Sequence, residues 1–568
     1  MSLFVWTRVR IPPTPLFINF YNITKKKFFL YSILSGLLLS LGWPTRGNAI
    51  FLFIAFVPLL YSEKKFNKSI SYVFLFSFIT FFIWNLCTTY WLHYSKRIDG
   101  TYAFEEAYLI PSIFNSFLMS IVFTFYSFTK KYIKNEIIRY VILICSWIIF
   151  EKMHLEWDLS WPWLTLGNGF SGKIKWIQWY EYTGTLGGTI WIWVTNIAIA
   201  DSIIRYNNIF NLFKKISIII IFVMGIIIFS KIIYYSYSYE HKYYKNKPIE
   251  ILILQPNIDP YNQKYKLSTK DTINKLFKLI KKKISKNTMF IIAPETYLPG
   301  NGDRILIKDL IKSKIVNNIK NLLSSTSPKA VFITGMELYK EYHPHTKNSN
   351  KHNYILDKQN SKFKRCFNSA VKIEVYSKNI KFCNKSKLVP GVEMFPYKKI
   401  LYPILSKIIN IRDNIMYLTK GNVCVLKHNY LNINVAAIIC YESIFGEYVT
   451  KFFRKNSKLI IIITNDGWWG NSQGHKQHMY YSRLRAIENR KYIARSANTG
   501  ISCFINDKGD ILSSLPYGKE GCLLKKIFFN NKKTFYTKHG DVLFVVSYLT
   551  LILIFIKTIY NKFFFNKK

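Results

Sequence analysis

The stretch Val435-Ala436-Ala437-Ile438-Ile439-Cys440-Tyr441-Glu442 decides how the larger part of this 568-residue chain is read. Five apolar residues are too few for a helix, and their partly β-branched character suits a strand buried on both faces. The run stops at a thiol, a phenol and a carboxylate, so reactive side chains stand at a strand end. Similar short runs recur at 249–254, 289–292, 331–333 and 459–463, with helix-like stretches at 269–286 and 477–495. Strands interleaved with helices predict an α/β sandwich.

Two other strand ends are equally polar. The run at 289–292 leads into Ala293-Pro294-Glu295, and 459–463 leads into Thr464-Asn465-Asp466-Gly467-Trp468-Trp469-Gly470. Between Glu295 and Cys440 lies the loop Lys385-Ser386-Lys387-Leu388-Val389-Pro390-Gly391-Val392-Glu393. A thiol, a carboxylate and an ammonium can perform acyl chemistry. The thiol attacks a carbonyl, the carboxylate takes its proton and the ammonium stabilises the oxyanion. A nearby cation is also expected to lower the thiol pKa. Each residue has a plainer reading: a strand-end cysteine packs, Glu295 neighbours a helix cap, and Lys385 shares a solvated basic loop with Lys381 and Lys387. Residue type and spacing leave both readings open.

Upstream, the character of the chain changes. Half of all residues are apolar and 17% aromatic, which excludes intrinsic disorder. The apolar residues gather into long runs over the first 240 positions and again over the last 30, which excludes a purely soluble enzyme. Seven apolar segments lie at about 28–43, 49–62, 71–93, 108–129, 136–151, 186–204 and 216–234, and an eighth at about 542–556. Several are shorter than the ~20 residues of a straight span.

Basic groups punctuate alternate loops. Lys25, Lys26 and Lys27 precede the first segment, and Lys64, Lys65 and Lys68 follow the second. Lys130, Lys131 and Lys134 follow the fourth, Arg205, Lys214 and Lys215 the sixth, and Lys562, Lys567 and Lys568 end the chain. The intervening loops are poorer in basic residues or balance them with Asp99, Glu105, Glu106, Glu151, Glu156 and Asp158. The positive-inside rule then predicts cytoplasmic termini and an outer-face domain before the last span. The expected boundaries are a cytoplasmic segment 1–27, a membrane domain 28–240 with about seven transmembrane helices, an extracytoplasmic domain 241–535, and a final helix and tail 536–568.

A net charge of +48, from 79 Lys and Arg against 31 Asp and Glu, would suit phosphate binding. The lysines accompany abundant Ile, Asn, Tyr and Phe, however, so AT-rich codons account for the excess and no nucleic-acid partner is expected. The cysteines at 87, 145, 366, 383, 424, 440, 503 and 522 show no CxxC pair and no metal-ligand spacing. Neither a metal nor a dense disulfide framework is expected, and each thiol is considered singly. Val9-Arg10-Ile11 back-translates to GTTCGAATC, the sequence of a tRNA T-arm, so a start assigned too far upstream is expected for Met1 to Phe17. No secretory signal pattern is found there. The loop after the fifth segment carries Trp157, Trp161, Pro162, Trp163 and Phe170 with Gly167 and Gly169. An interfacial aromatic belt is one reading, and a lipid-contacting lip beneath the outer domain is the other.

Taken together, these motifs resemble the apolipoprotein N-acyltransferase family, the membrane branch of the carbon–nitrogen hydrolase (nitrilase) superfamily. The resemblance runs from about residue 28 through nearly the whole chain. It rests on Trp161-Pro162-Trp163-Leu164, Gln255-Pro256-Asn257, Asn368-Ser369-Ala370, the Leu388-Val389-Pro390 loop with Glu393, and Cys440-Tyr441-Glu442. Asn465-Asp466-Gly467-Trp468-Trp469, Arg485-Ala486 with Glu488, Arg495-Ser496-Ala497-Asn498-Thr499-Gly500, Tyr536 and Gly540-Asp541 complete it. It implies a polytopic α-helical membrane domain of about eight spans joined to a nitrilase-like αββα sandwich. Carried over, the family's triad falls on Glu295 as general base, Lys385 as oxyanion stabiliser and Cys440 as nucleophile. Glu393 is implied to position Lys385 or to act in a second half-reaction, and Tyr441 and Glu442 to shape the nucleophile loop. Glu488 supports that loop or forms a helix-surface salt bridge. Trp161, Trp163, Trp468 and Trp469 are lipid-contact candidates. Two departures stand out: Ala293 replaces a tryptophan beside the base, and Gly391-Val392 replaces Phe-Gly in the mobile loop.

The implied reaction has two steps, with neither cofactor nor metal. A membrane phospholipid acylates Cys440, and the thioester then passes to the α-amine of a diacylglyceryl-cysteine on an apolipoprotein. The implied location is a bacterial inner membrane with the catalytic domain on the periplasmic face. Two alternatives remain: a membrane-bound hydrolase of small amides or nitriles, and a non-catalytic lipid- or lipoprotein-handling protein.

Overall fold

The computed structural model describes residues 15–66, 69–97, 100–240, 248–342, 355–357, 362–405, 416–529 and 531–564. The peculiar residues 1–14, together with Lys68, Asp99, Lys567 and Lys568, lie outside the described residues.

Among the described residues, five helices are long and apolar enough to cross a membrane: Ile70–Tyr94, Glu105–Lys131, Thr185–Arg205, Ile209–Tyr237 and Val542–Lys562. The helices Pro15–Gly42 and Glu136–Glu156 accompany them. Two segments differ from expectation. The first helix begins at Pro15, so Lys25 to Lys27 lie within it, because lysine is a good helix former. The second segment is no single helix but a 3-10 turn, Ala49–Phe53, followed by the ten-residue helix Val57–Phe66. The break is repaired by Asn196 of Thr185–Arg205. Its side-chain oxygen accepts from Phe56 N–H at 2.7 Å, and its amide donates to the Leu52 carbonyl at 2.8 Å. Without water nearby, such broken backbone needs a protein partner.

The helix ends sort into two sets. At one end Lys64 pairs with Glu136 and Asp201, each at 3.1 Å, Lys130 with Glu63, and Arg205 with Asp201. At the other end contacts reach the α/β domain and the start of the last helix. Trp43 Nε1 donates to Tyr481, Trp91 Nε1 to Gln477, and Tyr234 to Asp510, while Lys152 bridges Glu447 and Asp541.

The α/β domain is built from two sheets. One runs in the order Gly521–Ile527, Ile249–Gln255, Thr288–Ile292, Val331–Tyr342, Lys362–Ile373, Ile355–Asp357. The other runs Ile511–Leu515, Ser502–Ile505, Ile493–Ala497, Ser457–Thr464, Ile433–Ile439, Leu426–His428. Strand alternation divides each buried run between two cores. Ile251, Ile253, Ile292 and Ile333 face Ala437, Ile439, Ile461 and Ile463 of the second sheet. Leu252, Leu254, Ile291 and Phe332 instead pack under helices Thr269–Lys281 and Lys314–Thr326. The opposite helical layer, Gly446–Arg454 and Gln473–Asn489, covers Ile438, Ile460 and Ile462, and its core continues without a break into Trp43, Trp84, Trp91, Trp163 and Trp193 of the helical domain. The fold is a nitrilase-like αββα sandwich seated on an apolar helical bundle.

Candidate active site

Glu295 leaves strand Thr288–Ile292 and lies directly over strand Val331–Tyr342. Ala293 N–H donates to Ile333 at 2.9 Å, and Gly335 N–H to Pro294 at 3.0 Å. A Cβ on Gly335 would come within 2.3 Å of Thr296 N and 2.5 Å of Glu295 Cα, so only glycine admits this approach. Lys385 follows strand Lys381–Asn384; its N–H donates to the Asn368 carbonyl and its carbonyl accepts from Gly421, both at 2.8 Å. Cys383 and Cys424 form a disulfide beside this junction, so two thiols that the sequence leaves single are paired.

Lys385 is buried, and its Nζ lies 2.9 Å from Glu295 Oε1 and 2.8 Å from Glu393 Oε1. Two buried carboxylates share one ammonium, and three neutral donors offset the surplus negative charge. Asn368 Nδ2 donates to Glu295 Oε1 at 2.8 Å, Asn465 N–H to Glu295 Oε2 at 3.1 Å, and Val389 N–H to Glu393 Oε2 at 2.9 Å. Burial alone would lower the Lys385 pKa, but Glu295 and Glu393 more than reverse this and hold it well above the ordinary lysine value. Lys385 is therefore a permanent cation.

Cys440 closes strand Ile433–Ile439 and opens the 3-10 turn Cys440–Ile444 in a left-handed conformation, φ 48°. Its thiol departs from expectation. Burial, reinforced by Glu295, pushes the Cys440 pKa up, and the lowering by Lys385 does not compensate. A cation lowers a thiol pKa only when it outweighs desolvation and neighbouring carboxylates. The resting group is a neutral thiol, so a base must take its proton.

The supporting residues hold the turn. Glu442 accepts from Ile439 N–H at 2.9 Å, Ser386 N–H at 2.6 Å and the Tyr448 hydroxyl at 2.7 Å, joining the cysteine turn to the lysine loop. Tyr441 donates to the Ser160 carbonyl of the helical domain at 2.8 Å. Glu488 is fully buried against Arg485, at 2.6 Å, rather than on a helix surface, and burial raises its pKa to about 7. Arg485 in turn reaches the Ile444 carbonyl of the turn.

The aromatic candidates divide. Trp163 is buried between Trp91 at 4.8 Å and Trp469 at 5.8 Å, so it packs the junction between domains instead of standing in a lipid-facing belt. Trp161 is half-buried against the same core. Trp468 is half-buried with its ring edge-on to Tyr261 at 5.3 Å. In the loop between Lys385 and Glu393, Gly391 takes φ 79° in open space, and Val392 is exposed. A small cavity of about 10 Å³ beside Glu295 is lined by Lys264, Thr296, Tyr297, Asn465 and Asn498.

Three contributors lacked an assigned role in the sequence. Asn368 and Asn465 lie within recognised motifs, but their bonds to Glu295 emerge only from the fold. Gly335 sits in an ordinary strand and carries no local signal.

Comparison with known proteins agrees with this architecture. A family model described as the apolipoprotein N-acyltransferase N-terminal domain matches residues 35–198, and the carbon–nitrogen hydrolase model matches 253–531. The apolipoprotein N-acyltransferase of Chlorobaculum tepidum is 26% identical over 92% of this chain and 94% of its own length. That of Wigglesworthia glossinidia brevipalpis is 29% identical over 72% and 76%. Among solved structures, Saccharomyces cerevisiae Nit3, a nitrilase-superfamily member, matches 50% of this chain and 90% of its own at 12% identity, TM-score 0.34. With both halves matched in order, the chain belongs to the apolipoprotein N-acyltransferase family and is an acyltransferase enzyme.

Proposed function

We propose that this enzyme N-acylates the N-terminal diacylglyceryl-cysteine of lipoproteins, drawing the acyl chain from a membrane phospholipid through a thioester on Cys440. The observation that carries this reading is the buried Lys385, bridged between Glu295 and Glu393 beside Cys440, in a domain whose core is continuous with an apolar helical bundle.

In the first half-reaction, Glu295 takes the Cys440 proton as sulfur attacks the ester carbonyl. Lys385 balances the oxyanion of the tetrahedral intermediate. Collapse breaks the ester C–O bond, and Glu295 returns the proton to the departing oxygen, leaving a lysophospholipid and a thioester. In the second, the lipoprotein amine attacks the thioester and loses a proton to Glu295. Collapse breaks the C–S bond, giving an amide, and the proton returns to sulfur. Glu393 holds Lys385 in place through both.

Eight passages through the bilayer, with both termini cytoplasmic and the sandwich outside, fit the sorting of helix ends. The Lys64, Lys130 and Arg205 end satisfies the positive-inside rule, and the Cys383–Cys424 disulfide suits an oxidising compartment. Membrane seating brings the thiol to two substrates confined to one leaflet. The half-buried Trp161, Trp468 and Trp469 wall the site against water, which would otherwise discharge the thioester.

The test is the intact mass of the protein after incubation with phospholipid and no acceptor. One acyl adduct mapped to Cys440 and discharged by a diacylglyceryl-cysteine peptide is expected. Release of free fatty acid without an adduct would instead assign water as acceptor and a hydrolase, and neither product from folded protein would leave a binding role.

A further inference from the structure

Beside Cys440 lies a fully buried polar cluster that the proposed chemistry does not use. Asp466 Oδ1 accepts from Thr464 at 2.8 Å and lies 2.8 Å from His478 Nδ1, which Arg495 approaches at 3.2 Å, and its Oδ2 pairs with Arg495 at 2.6 Å. His478 Nε2 points the other way, 3.1 Å from the Cys440 carbonyl oxygen and 2.9 Å from Ser443 Oγ. Ser443 donates to that same carbonyl at 2.7 Å. The imidazole is boxed by Trp163 at 6.0 Å and Trp469 at 6.4 Å. Cys440, Asp466 and His478 approach within 4.8 Å of one another, a spacing that could suit a metal ion. Here Arg495 supplies the cation, Thr464 bonds the Asp466 carboxylate and Ser443 lies against His478 Nε2.

The left-handed backbone of Cys440 (φ 48°) is costly for a residue with a Cβ and persists only where its surroundings impose it. Its carbonyl is the group that must be held, and the two donors found there are His478 and Ser443.

We propose that His478 is a positioning residue: with a proton on each ring nitrogen, it bridges the Asp466 carboxylate and the Cys440 carbonyl and thereby fixes the turn that aims the thiol at Glu295 and Lys385. It acts through the backbone and exchanges no proton with sulfur. The inference rests on the proposed function only in taking Cys440 as the nucleophile.

The test compares His478→Leu, which fills the space without donating, with His478→Gln, whose amide can donate to the same carbonyl. Full-length proteins in detergent are followed by thermal unfolding, by Cys440 acyl-adduct formation from phospholipid, and by iodoacetamide labelling at the Cys440 peptide. Labelling needs no acyl donor, so it tests the positioning role even if the donor assignment fails. His478→Leu is expected to slow both reactions about tenfold or more with phospholipid KM unchanged, and His478→Gln to restore them to within about threefold. A folded Leu variant reacting at or above the wild-type rate overturns the proposal. A Gln variant as slow as Leu also does, since the ring itself would then be required. If the Leu variant does not fold, Ser443→Ala removes the companion donor. It is expected to slow labelling about threefold, and an unchanged rate overturns the proposal.

Discussion

Lys387, two residues beyond the buried Lys385, lies 3.0 Å from Glu156 at the end of helix Glu136–Glu156, and its ammonium also donates to the Leu155 carbonyl at 3.1 Å. Next to it, Ser386 N–H is held by Glu442. The loop carrying Lys385 is thus fastened on one side to the Cys440 turn and on the other to the helical domain.

That fastening makes a prediction. Glu156 is nearly half exposed, so the pair should contribute under about 1 kcal/mol to stability. Lys387→Ala and Glu156→Gln should therefore leave the unfolding temperature almost unchanged while lowering acyl transfer several-fold. A double-mutant cycle on the acylation rate should show the two effects to be non-additive; full additivity would mean that the contact does not orient the loop.

Removing the shared cation should be far more severe. Lys385→Met leaves Glu295 and Glu393 buried without their counter-charge, a loss of about 3–5 kcal/mol for a broken buried pair. Thioester formation should also fall by about 10²–10³, the range for loss of an oxyanion donor. Single-turnover mass spectrometry together with thermal unfolding reads both effects.

The raised thiol pKa fixes the direction of the pH response. Because the thiolate is the nucleophile, and burial and Glu295 disfavour it, iodoacetamide labelling of Cys440 should keep rising as pH increases through 9. A plateau near pH 7 would indicate a resting thiolate and an overriding influence of Lys385.

Gly335→Ala tests the close approach beneath the base. The added Cβ must displace the Glu295 and Thr296 backbone, at a cost of about 1–3 kcal/mol for overpacking. Acylation should fall further than stability alone explains, because the displaced group is the proposed base, Glu295. Alanine at Gly225, where a Cβ meets nothing within 4 Å, serves as the control.

Much of this was legible beforehand. The runs at 249–254, 289–292, 435–439 and 459–463 form strands with closely similar bounds, and Glu295, Lys385 and Glu393 meet in one buried cluster. The second apolar segment misled because hydropathy cannot see that Asn196, 140 residues away, repairs a broken helix. Trp163 misled because an interfacial and a buried tryptophan have the same sequence signature.

Sequence by itself determined the alternation of apolar runs with basic loops, the strand-end placement of an acid, a base and a thiol, and the family. These are local patterns, set by backbone periodicity and by where water is excluded. Tertiary structure alone decided that Cys383 pairs with Cys424, that Gly335 makes room for the base, that His478 reaches the Cys440 carbonyl, and that the thiol pKa rises rather than falls. Each of those depends on groups distant along the chain meeting in a medium of low polarity, where burial and neighbouring charge oppose one another and only their distances determine which prevails.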